Sequence, residues 1–115
     1  MYYRELIKGT LATIILKLLS EKDRMYGYQI TREVEQITAG EIILKEGSLY
    51  PTLHRLEAEG LVSTEIEYIG RRVRKYYSLT AKGTESIKTR LKDFSRFLVN
   101  MDKILKLNPS MKWES

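Results

Sequence analysis

Two short runs hold the side chains best suited to chemistry. Gly70-Arg71-Arg72-Val73-Arg74-Lys75 places four cations within six residues and no acid among them. Cations at that density neutralise phosphates and release the counterions condensed on a polyanion. The second run is Ser48-Leu49-Tyr50-Pro51, followed by His54 and Arg55. Ser48 is a good helix N-cap, and the first free N–H groups of such a helix can hold a phosphate. His54 and Arg55 offer donors of the kind that meet base edges. The plain alternative for each run is an ordinary solvated face.

The other titratable residues give no support to catalysis. The chain has 115 residues, no cysteine and one histidine. That removes a disulfide framework, a thiolate zinc site, a cysteine nucleophile and a multi-histidine metal centre. Glu33/Glu35 and Glu57/Glu59 are spaced i, i+2, so on helices they diverge. No Walker-type glycine loop and no G-x-G-x-x-G run is present. No enzyme activity, cofactor or metal is expected.

Net charge is +5, with 20 Lys plus Arg against 15 Asp plus Glu. Residues 1–60 hold 8 basic and 9 acidic side chains, and residues 61–115 hold 12 and 6. The surplus therefore lies in the second half, beginning at the Arg71–Lys75 run. The longest apolar stretch, Leu11 to Leu16, is cut by Lys17 and falls far short of the ~20 residues of a membrane span. Nothing at the N-terminus reads as a signal peptide, so a soluble cytoplasmic protein with no membrane partner is expected.

Several elements must position these side chains. Leu11, Ile14, Ile15, Leu18 and Leu19, with Ile7 one turn earlier and Leu6 beside it, predict a helix over residues 4–20 covered on more than one side. Gly9 lies inside it and points to a close backbone contact. Tyr26, Ile30, Val34 and Ile37 predict a second helix over 26–38 that stops at Gly40. Ile42-Ile43-Leu44 reads as one short strand. A third helix starts at Ser48 with Pro51 in its first turn, buries Leu49, Leu53 and Leu56, and ends at Gly60. Its opposite face carries Pro51, His54, Arg55 and Ala58, with Tyr50 at the flank.

Residues 61–68 and 73–79 alternate as strands around a turn at Gly70, which makes a β-hairpin with a basic tip. Thr80 then caps a long helix in which Ile87, Leu91, Phe94, Leu98, Met101 and Leu105 follow heptad spacing, and Phe97 and Ile104 widen the stripe. With its stop at Asn108-Pro109 that helix would run ~40 Å. An apolar stripe overhanging so small a domain needs a partner, most simply the same helix of a second copy.

The fold class is therefore mainly α with a small β-hairpin. A winged helix-turn-helix domain occupies residues 1–79, a C-terminal dimerisation helix 80–108 and a tail 109–115. Trp113 lies in the tail. In this architecture the third helix enters the major groove of double-stranded DNA, and the hairpin tip follows the backbone or reaches into the minor groove. The 41–47 connection is longer than a minimal helix-turn-helix uses, which a strand at Ile42–Leu44 added to the wing sheet would explain.

Tyr26-Gly-Tyr-Gln-Ile, Gly47-Ser-Leu-Tyr-Pro-Thr-Leu-His-Arg-Leu-Glu-Ala-Glu-Gly-Leu-Val and Arg74-Lys-Tyr-Tyr-Ser-Leu-Thr-Ala-Lys-Gly closely resemble the PadR family of bacterial transcriptional regulators. The resemblance spans about residues 8–107. It implies a homodimeric winged-helix regulator, usually a repressor, of the short type with a single C-terminal helix. It also implies an effector. Some short members hold flat aromatic drugs between the subunits, and others in the family respond to phenolic acids. Phe94 matches the position of a stacking Trp in the drug-binding group, with Phe97 beside it. The heptad pattern alone makes Phe94 a dimer-core residue, so two roles stand open for it. A winged helix used as a protein-interaction module is the alternative function, and the four wing cations favour DNA.

Overall fold

A computed structural model of the chain describes residues 2–107. Helix α1 spans Tyr2–Glu21, strand β1 Met25–Tyr26, helix α2 Gly27–Ile37 and helix α3 Glu46–Ala58. Strands β2 and β3 cover Val62–Ile69 and Arg72–Leu79, and helix α4 covers Ala81–Leu105. The stop signals at Asn108-Pro109 and the tail with Trp113 lie outside the described residues.

Apolar spacing decides what each helix buries. Leu11, Ile15, Leu16, Leu18 and Leu19 of α1 are all buried, on a wide surface that makes this helix the centre of the domain. Against it pack Ile30 and Val34 of α2, Leu49, Leu53 and Leu56 of α3, Tyr77 of β3 and Ile87 of α4. Ile37 does not join them and is 65% exposed. The α2 C-terminus unwinds there, with Thr38 as its cap and Ala39 at φ +50° followed by Gly40 at φ +83°. Gly9 meets no other atom of the described chain where a Cβ would stand, so the expected backbone contact is not made within one subunit.

The sheet has the order β1-β3-β2, antiparallel throughout. Its third strand is Met25–Tyr26, paired with Tyr77 and Tyr76, and not Ile42–Leu44 as expected. β1 takes the edge of β3 at Tyr76 and Tyr77, and residues 42–44 join no strand of the sheet. These instead run as irregular chain that buries Leu44, with the Ile42 N–H donating to Thr38 Oγ1 at 3.0 Å.

Two caps join the recognition region to the C-terminal helix. Helix α3 ends in a Schellman motif: Gly60 stands at φ +76°, its N–H reaches Glu57 O at 3.0 Å, and the Leu61 N–H reaches Leu56 O at 3.0 Å. Thr80 caps α4, accepting from the Gly83 N–H at 3.0 Å while its hydroxyl donates to Gly60 O at 2.7 Å. Lys82 Nζ donates to Glu59 O at 2.9 Å. The end of α3 and the start of α4 are thus held together by Thr80, an ordinary cap in the sequence, and by Lys82, which no local pattern marks.

Beyond Ile87, α4 leaves the core. Leu91, Phe97, Ile104 and Leu105 are 40%, 50%, 67% and 57% exposed, and Phe94, Leu98 and Met101 are half-buried. The longest dimension of the molecule is 54 Å and its radius of gyration 15.9 Å. A compact chain of this length would have about 13 Å.

Candidate nucleic-acid interface

Helix α3 begins earlier than its residue types indicate. Its N-cap is Lys45, whose carbonyl accepts from the N–H groups of both Ser48 and Leu49, at 3.0 and 2.9 Å. Ser48 therefore lies within the first turn, and its amide is already bonded. Pro51 falls in the second turn rather than the first, and the helical bond its missing N–H omits is the one to the carbonyl of exposed Gly47. Glu46 puts a carboxylate in the first turn. A phosphate at this helix end, expected from Ser48, would meet that charge.

The opposite face matches the expectation. Leu49, Thr52, Leu53 and Leu56 are buried, while Tyr50, Pro51, His54, Arg55 and Ala58 are exposed. Thr52 accounts for its own buried hydroxyl by donating to Ser48 O at 2.9 Å. Tyr50 lies across Gly27 at the start of α2, where a Cβ would come within 2.8 Å of the ring. The glycine between Tyr26 and Tyr28 thus makes room for a side chain of the recognition helix.

The wing is a tight hairpin. Ile69 pairs with Arg72, which leaves Gly70 and Arg71 as a two-residue loop, and Gly70 has φ +61° while Arg71 stays at negative φ. That φ pattern is the type II′ turn, whose twist suits paired strands. The structure divides the four wing cations into two kinds. Arg71 and Arg72 are exposed at the tip, and among the described residues neither enters an ion pair. Arg74 lies 4.4 Å from the centre of the Tyr26 ring. Lys75 Nζ donates to Glu57 Oε1 at 3.3 Å, so its charge is matched from α3.

Sequence reasoning missed the side chains that hold the wing. Arg24, in the turn before β1, bonds Glu65 at 2.9 Å and Glu67 at 2.6 Å, and its guanidinium lies 3.9 Å from the centre of the Tyr76 ring. Tyr76 in turn meets Tyr26 edge-on at 5.5 Å. These contacts depend on a strand pairing that no local pattern announces. Glu57 accepts from Thr64 Oγ1 at 3.0 Å as well as from Lys75. The Thr64 bond, then the Lys75 bond, hold its carboxyl below the usual range. Burial, followed by the nearby Glu57 charge and Tyr50, pushes the Tyr77 hydroxyl up.

Helix α3, the N-terminal end of α2 and strand β3 enclose a cleft of about 320 Å³, lined by Tyr26, Tyr28, Tyr50, His54, Arg74 and Lys75. The structure thus brings Tyr50 and His54 together with Arg74 and Lys75. Arg71 and Arg72 stand further out along the wing. Phe94 and Phe97 lie on α4 with ring centres 6.0 Å apart. Among the described residues no group of three or more His, Cys, Asp or Glu converges as a metal site would need. No described helix is long and apolar enough to cross a membrane.

Residues 15–89 match the model of the transcriptional regulator PadR-like family. An uncharacterized protein of Lysinibacillus sphaericus is 34% identical over 98 residues, 83% of this chain and 87% of that one. Transcriptional regulator YqjI of Escherichia coli K12 is 32% identical over 77 residues, 67% of this chain but only 35% of its own length. The crystal structure of a PadR family transcriptional regulator from Eggerthella lenta superposes with a TM-score of 0.81 at 28% identity, covering 93% of this chain and 91% of that one.

Proposed function

The chain belongs to the PadR-like family of transcriptional regulators, and from that premise we propose that it acts as a homodimeric repressor on a palindromic operator. Helix α3 reads bases in the major groove through His54 and Arg55, with Tyr50 and Pro51 packed along the groove wall. Arg71 and Arg72 hold the backbone or the adjoining minor groove, and Arg74 lines the cleft between wing and helix. Ser48 stands at the DNA-facing end of α3. The observation that carries this reading is the cleft itself. It sets an exposed polar helix face beside a hairpin whose tip bears two arginines without ion-pair partners among the described residues.

Two copies would join through the part of α4 that leaves the core: Leu91, Phe94, Leu98, Met101 and Leu105. Ile87 is buried in its own subunit and supports the base of the helix. A small aromatic or hydrophobic effector held between the subunits near Phe94 and Phe97 would release the operator by favouring a different spacing of the two recognition helices. A cytoplasmic location accords with this role.

The test is a fluorescence-polarisation titration of duplex DNA at several salt concentrations. Replacing both Arg71 and Arg72 with Ala should weaken binding to every sequence and lower the salt slope by about 1.8 per subunit, on the basis of 0.9 for each lost phosphate contact. Unchanged affinity and slope would refute the role of the tip. One stoichiometric protein partner, with no DNA bound at moderate salt, would favour the interaction-module reading instead.

A further inference from the structure

The wing carries four cations, yet one of them is matched by an acid from the recognition helix. Lys75 on β3 and Thr64 on β2 are diagonal neighbours on one sheet face, since Thr64 pairs with Tyr77 and Ile66 with Lys75. Both point to α3 and converge on one carboxylate, Glu57, at 3.3 and 3.0 Å. The Lys75 and Glu57 side chains are each 37% exposed. A pair as open as this contributes little to stability. A carboxylate beside a DNA-binding cleft also repels the polyanion. Its consequence is better sought in geometry and in charge.

We propose that Glu57 is a specificity-determining residue, which fixes the wing against the recognition helix and withholds Lys75 from phosphate. The proposal rests on the DNA-binding reading above. Glu57 is the point where α3, β2 and β3 are joined by polar bonds to a single side chain. The groups facing it are Thr64 and Lys75 from the sheet and His54 one turn earlier on α3, with Tyr77 close by. With Glu57 in place, Lys75 adds nothing to the grip on a wrong sequence. Non-specific affinity stays low, and the helix meets bases at one fixed offset from the wing. Without it, Lys75 becomes a further phosphate contact on any duplex, and wing and helix engage independently.

Glu57→Gln keeps an oxygen to accept from Thr64 and removes the charge. At 0.15 M salt its affinity for a random-sequence duplex should rise about fivefold per subunit, and the salt slope should steepen by about 0.9 per subunit. Operator affinity should rise less, so that the ratio of specific to non-specific affinity falls. The neutral pair Glu57→Gln with Lys75→Gln should return the slope to the wild-type value, because the native pair adds no net charge. This second variant answers even if the first fails to fold. An unchanged slope in Glu57→Gln, or a slope about 0.9 shallower per subunit in the neutral pair, would overturn the proposal, since Lys75 would then already touch phosphate in the native protein. Wild-type protein that binds no duplex at all would overturn the DNA-binding reading itself, which separates the two failures.

Discussion

Gly83 occupies a place in the first turn of α4 where a Cβ would overlap the Leu61 carbonyl oxygen and stand 3.1 Å from Leu79 Cδ2. The carbonyl also accepts from the Thr80 N–H at 3.1 Å, so it has little room to move. Gly83→Ala should destabilise the domain by about 3 kcal/mol, at the upper end of overpacking effects. Urea unfolding reads this directly, and a loss under 1 kcal/mol would refute the contact. Titratable residues give a second prediction. The Tyr77 hydroxyl is raised by burial, so its contribution to stability is intact below its unfolded pKa near 10 and is lost as pH rises through the folded value. Urea midpoints between pH 9 and 11 should fall less steeply in Tyr77→Phe than in wild type, and parallel curves would contradict this. At this scale the sequence was partly legible. Thr80 as a cap and Gly60 as a left-handed stop follow from residue type, because caps are local chemistry. Arg24 and Glu57 do not, because their partners lie 41 and 43 residues away for Arg24 and 7 and 18 for Glu57.

Among the elements, the wing and α3 divide the work. In the proposed reading, the tip supplies charge without sequence information, and α3 supplies donors with little net charge. His54→Ala and Arg55→Ala should therefore lower affinity for the operator by about 1–3 kcal/mol each while leaving random-sequence binding and the salt slope nearly unchanged. A uniform loss across sequences would assign them to phosphate instead. The same division explains which elements were readable. The hairpin was legible, because alternation and Gly70 agree. The strand expected at Ile42–Leu44 was not formed, because β-branched residues state a preference and not a partner. Met25–Tyr26, only two residues long, had no pattern to show, yet it stands on the free edge of β3. Helix α3 began at Glu46 for a similar reason. Gly47 is a poor helix former and hides the start in the sequence, while the Lys45 carbonyl gathers two N–H groups ahead of the strongest apparent cap.

For the whole molecule, α4 is the element out of proportion. At 25 residues it runs about 37 Å, and its first two turns serve the winged domain while the rest presents an apolar stripe. The heptad spacing made this visible in the sequence. Where the core would stop was not visible, because Ile87 and Leu91 look alike in a list of spacings and differ only in what α1 and β3 place beside them. Leu98→Asp should reduce the solution mass from about twice 13.5 kDa to 13.5 kDa without unfolding the winged domain. Sedimentation with circular dichroism checks both, and a wild type already at the monomer mass would refute the dimer. A dimer also doubles the reading surface, with half-sites about one helical turn apart or a multiple of it.

Under the proposed function, α3 and the wing together recognise a particular DNA sequence. Selection of duplexes from random sequence, followed by titration of the winning duplex and its shuffled counterpart across salt concentrations, tests it most directly. The winner should carry palindromic half-sites and bind about 10³-fold or more tighter than the shuffled duplex at physiological salt, with both affinities falling steeply as salt rises. No enrichment, or equal affinity for the two duplexes, would contradict it.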